Sequence, residues 1–324
     1  MAEESHSTIK LKPATFHRLQ DFAASVGRPA AELAEEAIDR FLSEQQDLQW
    51  KPSSELEALS SRELSQDGAA LQRMSSQQIK FMRQQSLVPL YIAEPIIGIV
   101  DGLLQGDHSV AEVLRKGNLG LGTLNGLDGE VVVLDGVAYH QGAEGVKVLT
   151  GSERTPFMSV TLFSKARSKQ VELSPVDDLQ GLEGQLKGHF RSTNVVYALL
   201  IEGSFLYVKS RAVCKQEGSV RLKDVAGSQV VREHTDESGV LVGFWCPPFV
   251  GSNLNVPGFH FHFLSADRQR GGHVLQLRME QGTGWLQEIH RAQVDLPFRG
   301  DFLDSALLTS QASADLRAAE QDRS

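Results

Sequence analysis

Cysteine is scarce. The 324-residue chain holds two, Cys214 and Cys246, in neither a CxxC nor a Cys/His zinc-finger spacing. A disulfide scaffold and a thiolate zinc finger are therefore excluded. Excess basic charge is missing as well. Lys and Arg total 32 against 41 Asp and Glu, a net charge of -9. Such a balance disfavours a broad surface for nucleic acid or anionic lipid, though not a small local one. Long apolar runs are also lacking. The most apolar stretch, Val88 to Val100, is too short for a bilayer and contains Glu94 and Pro95. The first residues, MAEESHSTIKLK, lack the apolar region of a signal peptide, so a cytoplasmic protein is expected. A chain that is 41% apolar and 23% charged can bury a sizeable core without staples.

The texture changes twice along the chain. Residues 1–47 alternate in STIKLK, a short strand, and then show two helical apolar faces. Pro13 opens the first, with Phe16, Leu19 and Phe22 following; Pro29 opens the second, with Leu33, Ile38 and Phe41. So small a unit cannot enclose a core alone, and dimerisation is expected. Residues 48–87 read as a linker, with eight serines and six glutamines between Ser53 and Ser86. From residue 88 to 324, short apolar runs alternate with Gly, Asp-Gly or Asn, as strands and hairpins do.

Expected strands include 130–136, 158–163, 195–203, 205–213, 240–245, 259–264 and 273–279. Asp128-Gly129 and Asp135-Gly136 are the expected hairpin turns. A helix is expected before Gly106, and a second from Ser109 to Lys116, with Ser109 as N-cap and Glu112 three residues on. The segment 313–321 reads as a final helix.

The strongest chemical signal is GFHFHFLSADRQRGGHV, residues 258–274. On a strand, His260 and His262 share one face while Phe259, Phe261 and Phe263 share the other. A hairpin through the polar loop 265–272 would bring His273 beside His262. Three neutral imidazoles can hold a divalent ion and leave a position open for water or substrate. The plainer reading is a set of buried histidines satisfied by hydrogen bonds. Three of ten histidines within fourteen residues favour the metal, without naming it, since cupin-type iron sites also use HxH. A second string, KGNLGLGTLNGLDGEVVVLDGVAYHQ (116–141), reads as glycine-rich turns around one strand and is not a phosphate loop. Glu130 opens that strand, where a carboxylate is usually solvated. Arg211, in YVKSRAV, faces water by alternation if Lys209 does.

These strings together resemble the alpha-acetolactate decarboxylase family. LRKGNLGLGTLNGLDGEVVVLDGVAY, YALLIEGSFLYVKSRAV, LVGFWCPPFVGSNLNVPGFHFHFLSADRQRGGHVL and VDLP occur in the family's order over more than two-thirds of the chain. The resemblance implies a zinc-dependent, mostly β enzyme in two parts, often a homodimer, that converts 2-acetolactate to acetoin and carbon dioxide. It implies zinc on His260, His262 and His273, acting as a Lewis acid that stabilises an enediolate. It places Glu130, Arg211 and Thr123 at the site, and a C-terminal glutamate at Glu320. Departures from the family pattern are Leu200 at an arginine position, Ala266 at an aspartate and Cys214 at a proline.

Residues 7–45 separately resemble ribbon-helix-helix domains, which pair as dimers and read DNA. Here five Lys/Arg stand against nine Asp/Glu in residues 1–47, so DNA is not the favoured partner. The expected fold class is α+β: a small ribbon-helix-helix-like unit, a linker, and a mostly-β decarboxylase-like domain. The rival functions are a metabolite-responsive DNA-binding regulator with the metal pocket as sensor, and a cupin-like metal oxygenase.

Overall fold

The computed structural model describes residues 88–225, 229–251 and 253–307, with the single residues 20 and 30. The chain divides into two compact units, Met1–Ser76 and Gln77–Ser324, and every described strand lies in the second. The expected ribbon-helix-helix unit, the Ser/Gln-rich segment, the helix at 313–321 and Glu320 lie outside the described residues.

Fourteen strands run through the described residues. In chain order they are β1 (Leu90–Ala93), β2 (His108–Ser109), β3 (Leu119–Thr123), β4 (Glu130–Leu134), β5 (Val137–Gly142), β6 (Gly145–Val148), β7 (Arg154–Thr155) and β8 (Phe157–Thr161). They continue with β9 (Lys169–Leu173), β10 (Val196–Val213), β11 (Gln229–Cys246), β12 (Gly258–Ser265), β13 (Gly271–Ile289) and β14 (Ala292–Asp295). The helices are short: α1 (Ile97–Val100), α2 (Val110–Leu114), α3 (Leu179–Gly188) and α4 (Gly300–Leu303). The expected capping box is present, with Ser109 Oγ accepting from the Glu112 N–H and the Glu112 carboxylate accepting from the Ser109 N–H.

One sheet has seven strands in the order β14-β1-β8-β3-β4-β5-β6, with β1 and β14 parallel. The other contains β10, β11, β12 and β13 paired in a ring, because β10 pairs with both β11 and β13; β9 adds to the outside of β13. Closure removes the free edges that four strands would otherwise present. The face between the sheets is filled by Leu121 and Val132 from the first and Val242, Phe244 and Leu264 from the second. The far face of the ring packs Phe259, Phe261 and Phe263 against Leu179, Leu182 and Leu186 of α3. Phe263 is fully buried, which contributes about 1.5–3 kcal/mol relative to exposure.

Several expectations are corrected. Residues 195–213 are not two strands broken at Gly203 but the single strand β10, which bends through register shifts at Ser204/Phe205 and Phe205/Tyr207. A bulge absorbs an extra residue and turns the strand without ending it. GLGT, expected as a turn, is strand β3. Its glycines permit close approach: a Cβ on Gly120 would lie 2.0 Å from the Ser159 carbonyl oxygen of β8. Asp128-Gly129 is not a two-residue turn; residues 124–129 form a six-residue connection, with left-handed Gly126, Leu127 and Gly129. Asp135-Gly136 does form the tight hairpin, both residues having positive φ. Leu200, at the family's arginine position, lies in the apolar core opposite Val242 and Trp285, so no buried charge there needs a partner.

Candidate metal centre

Period-two alternation on β12 sends the phenylalanines to the α3 side and His260 and His262 to the other. The hairpin returns the chain so that His262 and His273 are directly paired across β12 and β13. All three imidazoles are buried, with one ligand atom from each lying within 4.8 Å of the others. His260 Nε2 and His273 Nδ1 are 3.1 Å apart.

Two observations show that this donor set suits a divalent metal. First, burial, and then the Arg211 charge, hold the His260 pKa down to about 3, so the ring stays neutral and keeps a lone pair. Second, His262 Nδ1 donates to the Val131 carbonyl oxygen at 2.9 Å. That bond fixes the tautomer and leaves Nε2 as the ligand atom, as second-sphere partners of metal-bound histidines do. It also ties the two sheets together at the site.

The first sheet supplies the rest. Glu130 opens β4, and its Oε2 lies 3.4 Å from His262 Nε2. It is only 8% exposed, not solvated as its position after a turn suggested. Thr123, opposite Glu130 in the ladder, donates from Oγ1 to the Gly129 carbonyl oxygen at 2.7 Å and so braces the residue before Glu130. Arg211 pairs with His273 across β10 and β13 and is 7% exposed. The expectation that it faces water with Lys209 fails because the end of β10 is covered. The Gly129 N–H donates to the Val213 carbonyl oxygen and pulls the β3–β4 connection over it. Arg211 Nη1 donates to Gln229 Oε1 at 3.2 Å.

Glu130, Thr123, Arg211, His260 and His262 line one cavity. The rest of its lining is mainly apolar: Ile96, Ile99, Leu127, Phe157, Val213 and Leu222. A few polar groups in an otherwise apolar lining are the usual make-up of a small-molecule site. No motif marks this apolar lining; Ile96 and Ile99, three apart at α1, are the signal the sequence carries for it. Nothing local in the sequence marks Gln229.

The family model for alpha-acetolactate decarboxylase matches residues 90–309. The chain belongs to the alpha-acetolactate decarboxylase family. It is 38% identical over 214 residues to the alpha-acetolactate decarboxylase of Methanosarcina mazei, covering 65% of this chain and 72% of that one. Against the Klebsiella aerogenes protein of the same name the identity is 34% over 233 residues, covering 71% and 88%. The crystal structure of the Bacillus subtilis alpha-acetolactate decarboxylase superposes with a TM-score of 0.69 at 27% identity, covering 72% of this chain and all of that one. Members of the alpha-acetolactate decarboxylase family are carboxy-lyases, and this chain is an enzyme of that class. Glu320 lies beyond the matched residues.

Proposed function

We propose that the chain converts 2-acetolactate to acetoin and carbon dioxide, using zinc held by His260, His262 and His273. The observation that carries this reading is a buried histidine triad, two of whose members, His260 and His262, line one cavity with Glu130 and Arg211, in a chain of this family. When bound, the metal supplies Lewis acidity toward the substrate's hydroxyl and ketone oxygens.

The remaining steps belong to the protein's own side chains. Arg211 offers a planar guanidinium fork, suited to the substrate carboxylate. Its burial shields that charge from solvent screening. Loss of carbon dioxide breaks one carbon–carbon bond and leaves its electron pair with the substrate. One proton must then reach the carbon that lost the carboxylate, and we assign its delivery to the Glu130 carboxyl group. Thr123 holds the backbone before Glu130, fixing the side from which that proton arrives. The apolar lining keeps bulk water from competing. A proton delivered from one side gives chiral acetoin. Glu320 is retained, by the resemblance alone, as a second carboxyl for this step.

For the whole chain we propose residues 1–47 as a dimerising unit, residues 48–87 as a linker and residues 88–324 as the catalytic domain, in a cytoplasmic homodimer. An anaerobic assay tests the chemistry: acetoin and carbon dioxide should form in equal amounts without oxygen. A requirement for oxygen would favour the oxygenase reading instead.

A further inference from the structure

The connection that aims Glu130 is held from beneath by a histidine outside the site. His140 on β5 is 3% exposed. Its Nε2 lies 2.6 Å from the carbonyl oxygen of Asp128, two residues before Glu130. A carbonyl only accepts, so Nε2 carries the proton and donates. His140 also stands opposite Val131, the residue after Glu130, in the β4–β5 ladder. One residue thus grips the chain on both sides of the carboxylate.

The fold reserves space for this ring. A Cβ on Gly129, whose φ is +68°, would lie 2.6 Å from His140 Nε2, and one on Gly142 would lie 2.9 Å from its Cε1. Burial lowers the imidazole's pKa and keeps the ring neutral, so Nδ1 is bare. Among the described residues Nδ1 has no hydrogen-bond partner. An apolar ring of similar shape would avoid that cost, but could not donate to Asp128. The donor is what distinguishes histidine at this position.

We propose that His140 is a positioning residue, which places the Glu130 carboxylate against His262 by fixing the β3–β4 connection. The proposal rests on the reading that Glu130 acts in the reaction. Misplacing a reacting group by about 1 Å can cost about 100-fold in rate. His140→Phe should therefore lower kcat by at least about 10-fold while KM stays within about twofold, a split expected of lost alignment rather than lost binding. His140→Gln keeps a side-chain N–H donor and should recover most of the loss. In a Glu130→Gln background, His140→Phe should lower kcat no further, since the two residues act through one carboxylate.

A second readout needs no turnover. In the metal-free chain, the imidazole 15N resonance of His262 Nε2 reports the nearby Glu130 carboxylate. His140→Phe should shift it in the same direction as Glu130→Gln does, and His140→Gln should leave it near its original position. If the Phe ring fails to pack, His140→Ala removes the same donor without added bulk and is read in the same way. Unchanged kcat, additive losses in the double variant, or an unmoved His262 resonance would overturn the proposal. A parent chain that forms no acetoin would instead contradict the functional reading, and the resonance would still decide the role of His140.

Discussion

Glu130 Oε2 stands 3.4 Å from His262 Nε2, while the other nitrogen of that ring donates to the carbonyl of Val131, the next residue after Glu130. One stretch of β4 therefore fixes the tautomer of a candidate metal ligand and places a carboxylate beside it. The role proposed for Glu130 is therefore that of a group beside the histidine triad and not a member of it.

Removing a ligand should remove the metal. His260→Ala and His273→Ala are each expected to purify with little or no bound zinc, as elemental analysis of the folded proteins would show. Full occupancy in both variants would mean that the triad is a set of core histidines.

Glu130→Gln and Arg211→Ala should keep the metal and lose turnover. The expected drop in kcat for Glu130→Gln is at least about 100-fold, the low end for losing a proton-transfer group. A comparable fall in kcat/KM is expected for Arg211→Ala, whose charge is buried at the cavity. Parent-like rates in either variant would contradict the role given to that residue.

The histidine pair, its third partner and the start of β4 were legible because they depend on local rules. Alternation on one strand aligns His260 with His262, and a ten-residue gap ending in Gly-Gly returns His273 to them. Depth was not legible. Glu130 and Arg211 look like surface residues within their own strands, yet both are buried in the fold, where the β3–β4 connection meets the end of β10. Gly203 resembles a turn and hides the length of β10, which continues past it through register shifts. Helix α3 went unseen because Gly181, Gly184 and Gly188 weaken its helical propensity. Asp178 as N-cap, with Leu179, Leu182 and Leu186 behind it, is the pattern that marks the helix.

Close backbone approach at β3 makes a stability prediction. Gly120→Ala would force a methyl group onto the Ser159 carbonyl oxygen, 2.0 Å away. Urea unfolding should show a loss of about 1–3 kcal/mol or more, as overpacking costs. A neutral substitution would mean that β3 and β8 are not paired in this register.

His140 should make part of the fold's acid sensitivity. Its pKa is lowered from 6.5, first by burial; Asp128 and Glu153 act to raise it and Lys147 to lower it. The unfolded chain therefore binds the extra proton first, and stability is lost as pH falls through about 6.5 toward the lower folded value. The difference in unfolding free energy between about pH 8 and about pH 5 should be smaller in His140→Gln than in the parent chain. Equal differences would place the acid sensitivity elsewhere.

The most direct measurement is acetoin formation from 2-acetolactate by the purified full chain, set against the spontaneous rate. The account predicts acetoin well above that background, abolished when a chelator strips the protein and restored when zinc is added back. A folded, zinc-loaded chain that leaves 2-acetolactate at its spontaneous rate would contradict it.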